Sequence, residues 1–263
     1  MRIIMSTIIM EPSQTQTSLL ANPLAIPIAI IVAGAIIGGA ILIGLRQPGN
    51  SAAGALRPQG AEQQPGDLEA MSPITDDDHI RGNPNAPVKI VEYSDTECPF
   101  CKRFHGTMNQ IMSEYGESGK VAWVYRHYPL DALHKKADKE AEAMECAAEQ
   151  GGSPSPLGTS NDTFWRYADR LFEVTPSNDG LDPADLPKIA QFVGLDVKKF
   201  NACLSSGKYA EHVEEDTQNA QATGGNGTPW SIIVAPNGKK YPLSGAQPYE
   251  AVKQLIELAL QEK

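Results

Sequence analysis

The chain of 263 residues has only four cysteines, too few to knit a disulfide miniprotein, so an apolar core must hold its fold and each cysteine can be weighed singly. No run of basic residues relieves the excess of 32 Asp and Glu over 22 Lys and Arg, a net charge of -10, which disfavours a nucleic-acid or polybasic membrane-surface role. There is no second C-x-x-C, and His105, His127, His134 and His212 show no ligand spacing, so a zinc site lacks its further ligands. No internal repeat is visible. What remains, 41% hydrophobic and 21% charged with 23 Gly and 20 Pro, is the composition of one good-sized domain or two small ones with loop-rich material.

One long apolar run is present. After a tail of residues 1–23, Leu24 to Leu45 carries no charge over 22 residues, which as helix is roughly 33 Å and matches a bilayer core of about 30 Å. A cleaved secretory signal, with Ala53-Gly54-Ala55 as the small-x-small site, is the competing reading; the length of the run favours an uncleaved anchor. Lys and Arg counts on the two sides do not orient it, so the chemistry downstream must. Gly34 and Gly38 form a G-x-x-x-G through which two such helices could pair. Residues 46–75, rich in Pro, Gly, Ala and Gln, read as a flexible linker. The remaining acidic domain, 76–263, carries a net charge of -9.

Within that domain, β runs at Val88–Ser94 and Val121–Tyr128 flank a helical pattern from Cys98 to about Tyr115, which implies a parallel βαβ unit. Helical patterns follow at 133–149, 163–174, 183–193, 197–204 and 209–223. The chain returns to β at Trp230–Ala235, turns at Asn237-Gly238, pairs Lys239–Leu243 against it and ends in an amphipathic helix, Tyr249–Leu260. The expected fold class is α/β: a mixed sheet flanked by helices, with a helical block at about 132–223 inserted between its halves.

Cys98-Pro99-Phe100-Cys101 lies where a strand ends and a helix begins. Free N–H groups and the positive end of the helix dipole favour a thiolate there, Pro99 suits the first helical position, and Cys101 lies one turn on, within reach of a disulfide with Cys98. Attack by a thiolate, a mixed disulfide and resolution by a second thiol are the steps such a pair supports. Gly227-Thr228-Pro229-Trp230 places a proline at a strand start, as an ordinary trans residue or with a special geometry such as cis.

Taken together, the stretch around VKIVEYSDTECPFCKRFH, the RHYPLD segment, the AMECAAEQG helix and the GTPW turn resemble the DsbA-like branch of the thioredoxin superfamily in its membrane-anchored bacterial form. The resemblance implies a thioredoxin fold with an inserted helical domain, Cys98 as attacking and Cys101 as buried resolving cysteine, and a cis Thr228–Pro229 peptide whose backbone pairs with extended substrate. It also matches Glu92 to a buried carboxylate that assists proton transfer; an outward-facing strand residue is the other reading, since Val91 and Tyr93 alternate around it. Similar proteins carry a structural disulfide where Cys146 and Cys203 stand; two buried free thiols are the alternative. Phe100 departs from the histidine of strongly oxidising relatives, which implies a less acidic Cys98. His105 reads as a solvated helix residue or a modulator of the site, and Asp76–Asp78 as solvated charge.

The expected function is that of a membrane-tethered thiol-disulfide oxidoreductase on the extracytoplasmic side. It would form disulfides in secreted or envelope proteins and be recharged by a quinone-coupled integral-membrane reoxidase (DsbB-like or vitamin K epoxide reductase-like). Neither an organic cofactor nor a metal is required. Reductase or isomerase chemistry at the same cysteines, or a non-redox peptide-binding chaperone, are the alternatives.

Overall fold

Strand, helix, strand forms the centre of the domain, in a computed structural model that describes residues 66–151 and 163–263. The tail, the anchor at 24–45 and most of the linker lie outside the described residues. Strand β1 (His79–Gly82) is followed by β2 (Val88–Ser94), helix α1 (Pro99–Ile111) and β3 (Val121–His127). Helices α2 (Ala137–Ala148), α3 (Thr163–Val174), α4 (Leu186–Phe192), α5 (Val197–Ser206) and α6 (Ala210–Ala222) then intervene before β4 (Trp230–Val234), β5 (Lys240–Ser244) and α7 (Tyr249–Gln261).

The five strands are ordered β1-β3-β2-β4-β5, with β2 and β3 parallel and the other pairings antiparallel. On one face, Ile90, Trp123 and Ile233 pack with Phe104, Met108 and Ile111 of α1 and with Val252 and Ile256 of α7. On the other, Val91, Tyr93, Val124 and Ile232 pack with Ala220 of α6. Both faces of the central strands are therefore covered, as is usual where a parallel pair lies inside a sheet. The i, i+3, i+7 spacing of Cys101, Phe104 and Met108 gives α1 the stripe that seats it.

The structure departs from the sequence reading in three places. Strand β1 was not expected: it is four residues long and polar, and is fixed by Arg81, whose guanidinium bonds Asn109 and Asp169 and stacks 4.3 Å from the Trp165 ring centroid. Residues 66–75, read as the end of the linker, are seated on the sheet: Leu68, Met71 and Ile74 pack on the second face, and Arg126 bonds the carbonyls of Ser72 and Pro73. The composition that suggested a tether has a local cause, because a Cβ on Gly66 would sit 2.0 Å from the Cα of Gly224. Asp78, expected as solvated charge, is ion-paired with Arg126 at 2.8 Å.

Helices α2 and α5 are joined by a disulfide between Cys146 and Cys203, with Cα atoms 5.7 Å apart. The two half-cystines stand on the helical insertion, within the apolar cluster built by Phe164, Tyr167, Leu171 and Phe200.

Candidate active site

Cys98 is the N-cap of α1, with extended backbone at φ -78° and ψ 121°, and Pro99 follows as the first helical residue. Pro99 has no N–H to leave unpaired, and the amides of Phe100 and Cys101, orphaned by their place in the first turn, are directed at the Cys98 sulfur. Both cysteines are free thiols, Cys98 at 4% exposure and Cys101 at 0%. From 130 residues away the Thr228–Pro229 turn meets them: that peptide is cis, and the Cys98 thiol donates to the Thr228 carbonyl at 3.5 Å.

The two thiols differ in acidity. A hydrogen bond from Cys101 holds Cys98 down at about 6 against the opposing effect of burial, with Thr228 and the two amides adding to it. Burial pushes Cys101 well above the usual thiol range, and negative charge on Cys98 and Glu92 pushes it further. The backbone N–H of Asp95 donates to the Cys101 sulfur at 3.4 Å.

Glu92 is fully buried on β2, in register with Tyr125 of β3 and Ser231 of β4. Burial raises its carboxyl to about 7, against the flanking Ser94 hydroxyl and Trp123 indole. Neither carboxyl oxygen has a hydrogen-bond partner of good geometry, and the same holds for Ser94 Oγ, Trp123 Nε1, Tyr125 Oη and Ser231 Oγ. The alternation that left Glu92 open is resolved by the second layer: both sheet faces are covered from Ile90 to Ser94, so no position in that part of β2 is outward. A carboxyl at about 7 beside a thiol of high pKa is suited to taking up and returning that thiol's proton near neutral pH.

Several charged residues of the site had no legible sequence signal. Asp95 is buried and accepts from the amides of Glu97 and Leu130 and from His134 Nδ1, each at 2.8 Å. Glu97 accepts from the amides of Gly180 and Leu181, both at 3.3 Å. Those amides belong to a loop in which Ser177, Asn178 and Asp179 all have positive φ, 65°, 55° and 60°. Glu140 is kept protonated to about 9 by burial and by its hydrogen bond with Glu97, while Thr96 donates to it at 2.6 Å. The two acidic residues just before Cys98, Asp95 and Glu97, give no hint of burial. His105, expected as a solvated helix residue or a modulator, is instead buried, stacked on Phe172 and paired with Asp169 at 2.8 Å. Phe100 is 53% exposed, with the Arg103 guanidinium 5.3 Å from its ring centroid. Among the described residues no group of three His, Cys, Asp or Glu could hold a metal ion.

A family model described as Thioredoxin matches residues 75–258. The chain belongs to the thioredoxin family. Among solved structures similar to this family member, DsbA2 of Pseudomonas aeruginosa superposes with a TM-score of 0.59 at 26% identity, covering 73% of this chain and 100% of that one. BdbD of Bacillus subtilis in its oxidised form superposes with a TM-score of 0.59 at 24% identity, over 70% and 94% of the two chains. By fold the protein is thus a DsbA-like thiol-disulfide oxidoreductase of the thioredoxin superfamily. Curated relatives include the Na(+)/H(+) antiporter NhaA 1 of Mycolicibacterium gilvum, 33% identical over 181 residues, 68% of this chain and 26% of that protein. NhaA 3 of Salinispora tropica is 34% identical over 177 residues, 67% of this chain and 24% of that protein. The chain spans about a quarter of the length of the curated relatives it matches.

Proposed function

We propose that this protein is a membrane-tethered thiol-disulfide oxidoreductase, facing the extracytoplasmic side, that forms disulfides in secreted or envelope proteins through Cys98 and Cys101. The observation that carries the reading is the unequal setting of the pair: Cys98 caps the start of α1 against the carbonyl of the cis Thr228–Pro229 peptide, while Cys101 is fully buried behind it, so the first sulfur is held acidic and the second is not.

In the oxidised pair, a substrate thiolate attacks the Cys98 sulfur. A substrate–Cys98 bond forms, the Cys98–Cys101 bond breaks, and Cys101 leaves with the electron pair and takes a proton that Glu92 can supply. A second substrate thiolate then attacks the substrate sulfur of the mixed disulfide and expels Cys98 as thiolate. The substrate has lost two electrons and the pair has gained them. A sulfur that ionises at about 6 is a good leaving group, which favours this last step. Thr228, next to the cis Pro229, offers its backbone to extended substrate. A quinone-coupled membrane reoxidase of the DsbB-like or vitamin K epoxide reductase-like kind would withdraw the two electrons.

Tethering is supported by the apolar run at 24–45 and by the relatives, whose printed names are those of membrane antiporters. Antiport itself is not proposed, because the shared region is a minor part of those chains. Among the described residues no helix is long and apolar enough to cross a membrane.

An isomerase reading draws on the same acidity. Cys98 at about 6 lies between the roughly 7 of thioredoxin and the roughly 3.5 of DsbA, which points to a milder oxidant. Reduced and scrambled substrate, each supplied with a glutathione redox buffer, separate the two. Rapid oxidation of the reduced protein with little rescue of the scrambled one is the expected result, and efficient rescue would replace oxidase by isomerase. Holdase activity that survives Cys98→Ser would favour the chaperone reading.

A further inference from the structure

The C-P-F-C loop has no imidazole of its own, yet one stands close by on another element. His134 lies 36 residues beyond Cys98 in the turn before α2, is 6% exposed, and its Nδ1 donates to Asp95 Oδ2 at 2.8 Å. Asp95 in turn holds both cysteines through its own peptide groups. Its N–H donates to the Cys101 sulfur at 3.4 Å, and its carbonyl accepts the Cys98 N–H at 3.2 Å. The same carboxylate takes the Leu130 amide, and the His134 amide bonds the Leu130 carbonyl, so turn and aspartate form one closed unit.

We propose that His134 is a positioning residue for the Cys98–Cys101 pair, held beside it by Asp95, and that its charge sets how strongly the pair oxidises. The proposal rests on the reading of Cys98 and Cys101 as the exchanging pair and adds to it a regulator outside the motif.

The physical argument runs through reciprocity. A thiolate on Cys98 favours the protonated imidazole of His134, and the bond to Asp95 favours it as well, both against the opposing effect of burial. An imidazolium therefore favours the thiolate to the same degree. The disulfide carries no such charge, so His134 holds its proton more tightly in the reduced protein than in the oxidised one. The other groups facing His134 do not reverse this: Asp179, from the loop after α3, also favours the proton. Asp131, Lys135 and Lys136 lie on its own turn with Asp138 beginning α2, and Glu97 and Glu140 lie behind Asp95. Lys136 is engaged by the Asp179 and Leu181 carbonyls, and so holds the Asp179 loop against the turn.

The first test needs no variant. The His134 imidazole resonance, followed by NMR against pH in the full-length protein in detergent, should show a midpoint higher in the reduced form, by about threefold in proton affinity. Equal midpoints in both forms overturn the proposal. In the second, His134→Gln keeps a donor for Asp95 and removes the charge. The Cys98 thiolate absorbance should then titrate at higher pH, and the equilibrium with glutathione should move about threefold to tenfold toward the oxidised protein, about 15–30 mV. A folded His134→Gln protein with unchanged titration and equilibrium also overturns it. A protein that oxidises no substrate but shows the redox-linked His134 midpoint loses the oxidase reading and keeps this one. The converse result does the reverse.

Discussion

Two pairs of cysteines occupy the same domain and are built for opposite ends. Cys98 and Cys101 are three residues apart in one helical turn, surrounded by N–H donors, a carbonyl and a buried carboxyl. Cys146 and Cys203 are 57 residues apart on two helices, with the apolar cluster of the insertion on one side and Glu149, Lys199 and Lys208 on the other. In the first pair the environment splits the acidities, so one sulfur leaves easily and the other is reprotonated. In the second, neither sulfur lies at a helix N-terminus, and the bond's effect is to restrain the chain. The sulfur chemistry is identical; position on the helix and the polarity around it make the difference.

Removing the first pair should produce the largest effect. Cys98→Ser should lower oxidation of a reduced substrate by on the order of 10³-fold or more, with melting temperature unchanged, because the attacked sulfur is lost. Turnover within tenfold of the parent would dissolve the contrast between the pairs. Removing the second should act on stability alone. Closing 57 residues contributes about 4 kcal/mol in the chain-entropy model, so Cys146→Ala with Cys203→Ala should lower the midpoint of thermal unfolding by about 8–16 °C. The thiolate titration of Cys98 should be unaffected, and a displaced titration would show that the pairs are coupled.

Next in size is Glu92. Its carboxyl ionises at about 7 in the fold against an ordinary 4.5, so between those values the folded protein binds the extra proton and stability falls as pH rises. Above about pH 7 the buried charge costs the fold about 3 kcal/mol, from about 1.4 kcal/mol per tenfold. Glu92→Gln should therefore be more stable than the parent in urea at pH 8 by up to this amount and nearly equal to it at pH 4.5. The same variant should slow the release of Cys101 during exchange. A parent protein whose stability rises between pH 5 and 7 after correction for other groups would place Glu92 in a solvated setting.

The sequence made the contrast between the pairs visible unevenly. Strands β2 and β3 and helix α3 follow from apolar runs and periodicity, because a buried strand and a one-sided helix leave those marks directly. Strand β1 leaves none, since its inward residue is Arg81, satisfied by Asn109, Asp169 and the Trp165 ring, which are distant in sequence. Residues 66–75 look like a tether because close backbone contact with Gly224 calls for the same glycine that flexibility would. The meeting of Cys98 with Thr228 was legible only by resemblance, and the bonds from Asp95 to His134 and from Glu97 to the 180–181 amides not at all. Local pattern reports which residues are buried; it does not report which buried polar groups satisfy one another.

The smallest effect concerns Phe100, the solvent-facing residue between the two cysteines. Phe100 is exposed beside Cys98 and contributes only its amide to the sulfur. Phe100→His would add an imidazole at the helix N-terminus without disturbing the core. Its protonated form would favour the thiolate, and Cys98 should titrate one to two pH units below about 6. Because the thiolate exists only in the reduced protein, this stabilises the reduced form at neutral pH and makes the pair more oxidising. Its equilibrium with glutathione should move about tenfold to a hundredfold toward the reduced protein, about 30–60 mV. Cys146 and Cys203 should remain oxidised by mass throughout, since nothing in their surroundings changes. An unchanged Cys98 titration in the folded variant would mean that the amides and Cys101 already set the limit of thiolate stabilisation, and that the loop residue between the cysteines has no influence on it.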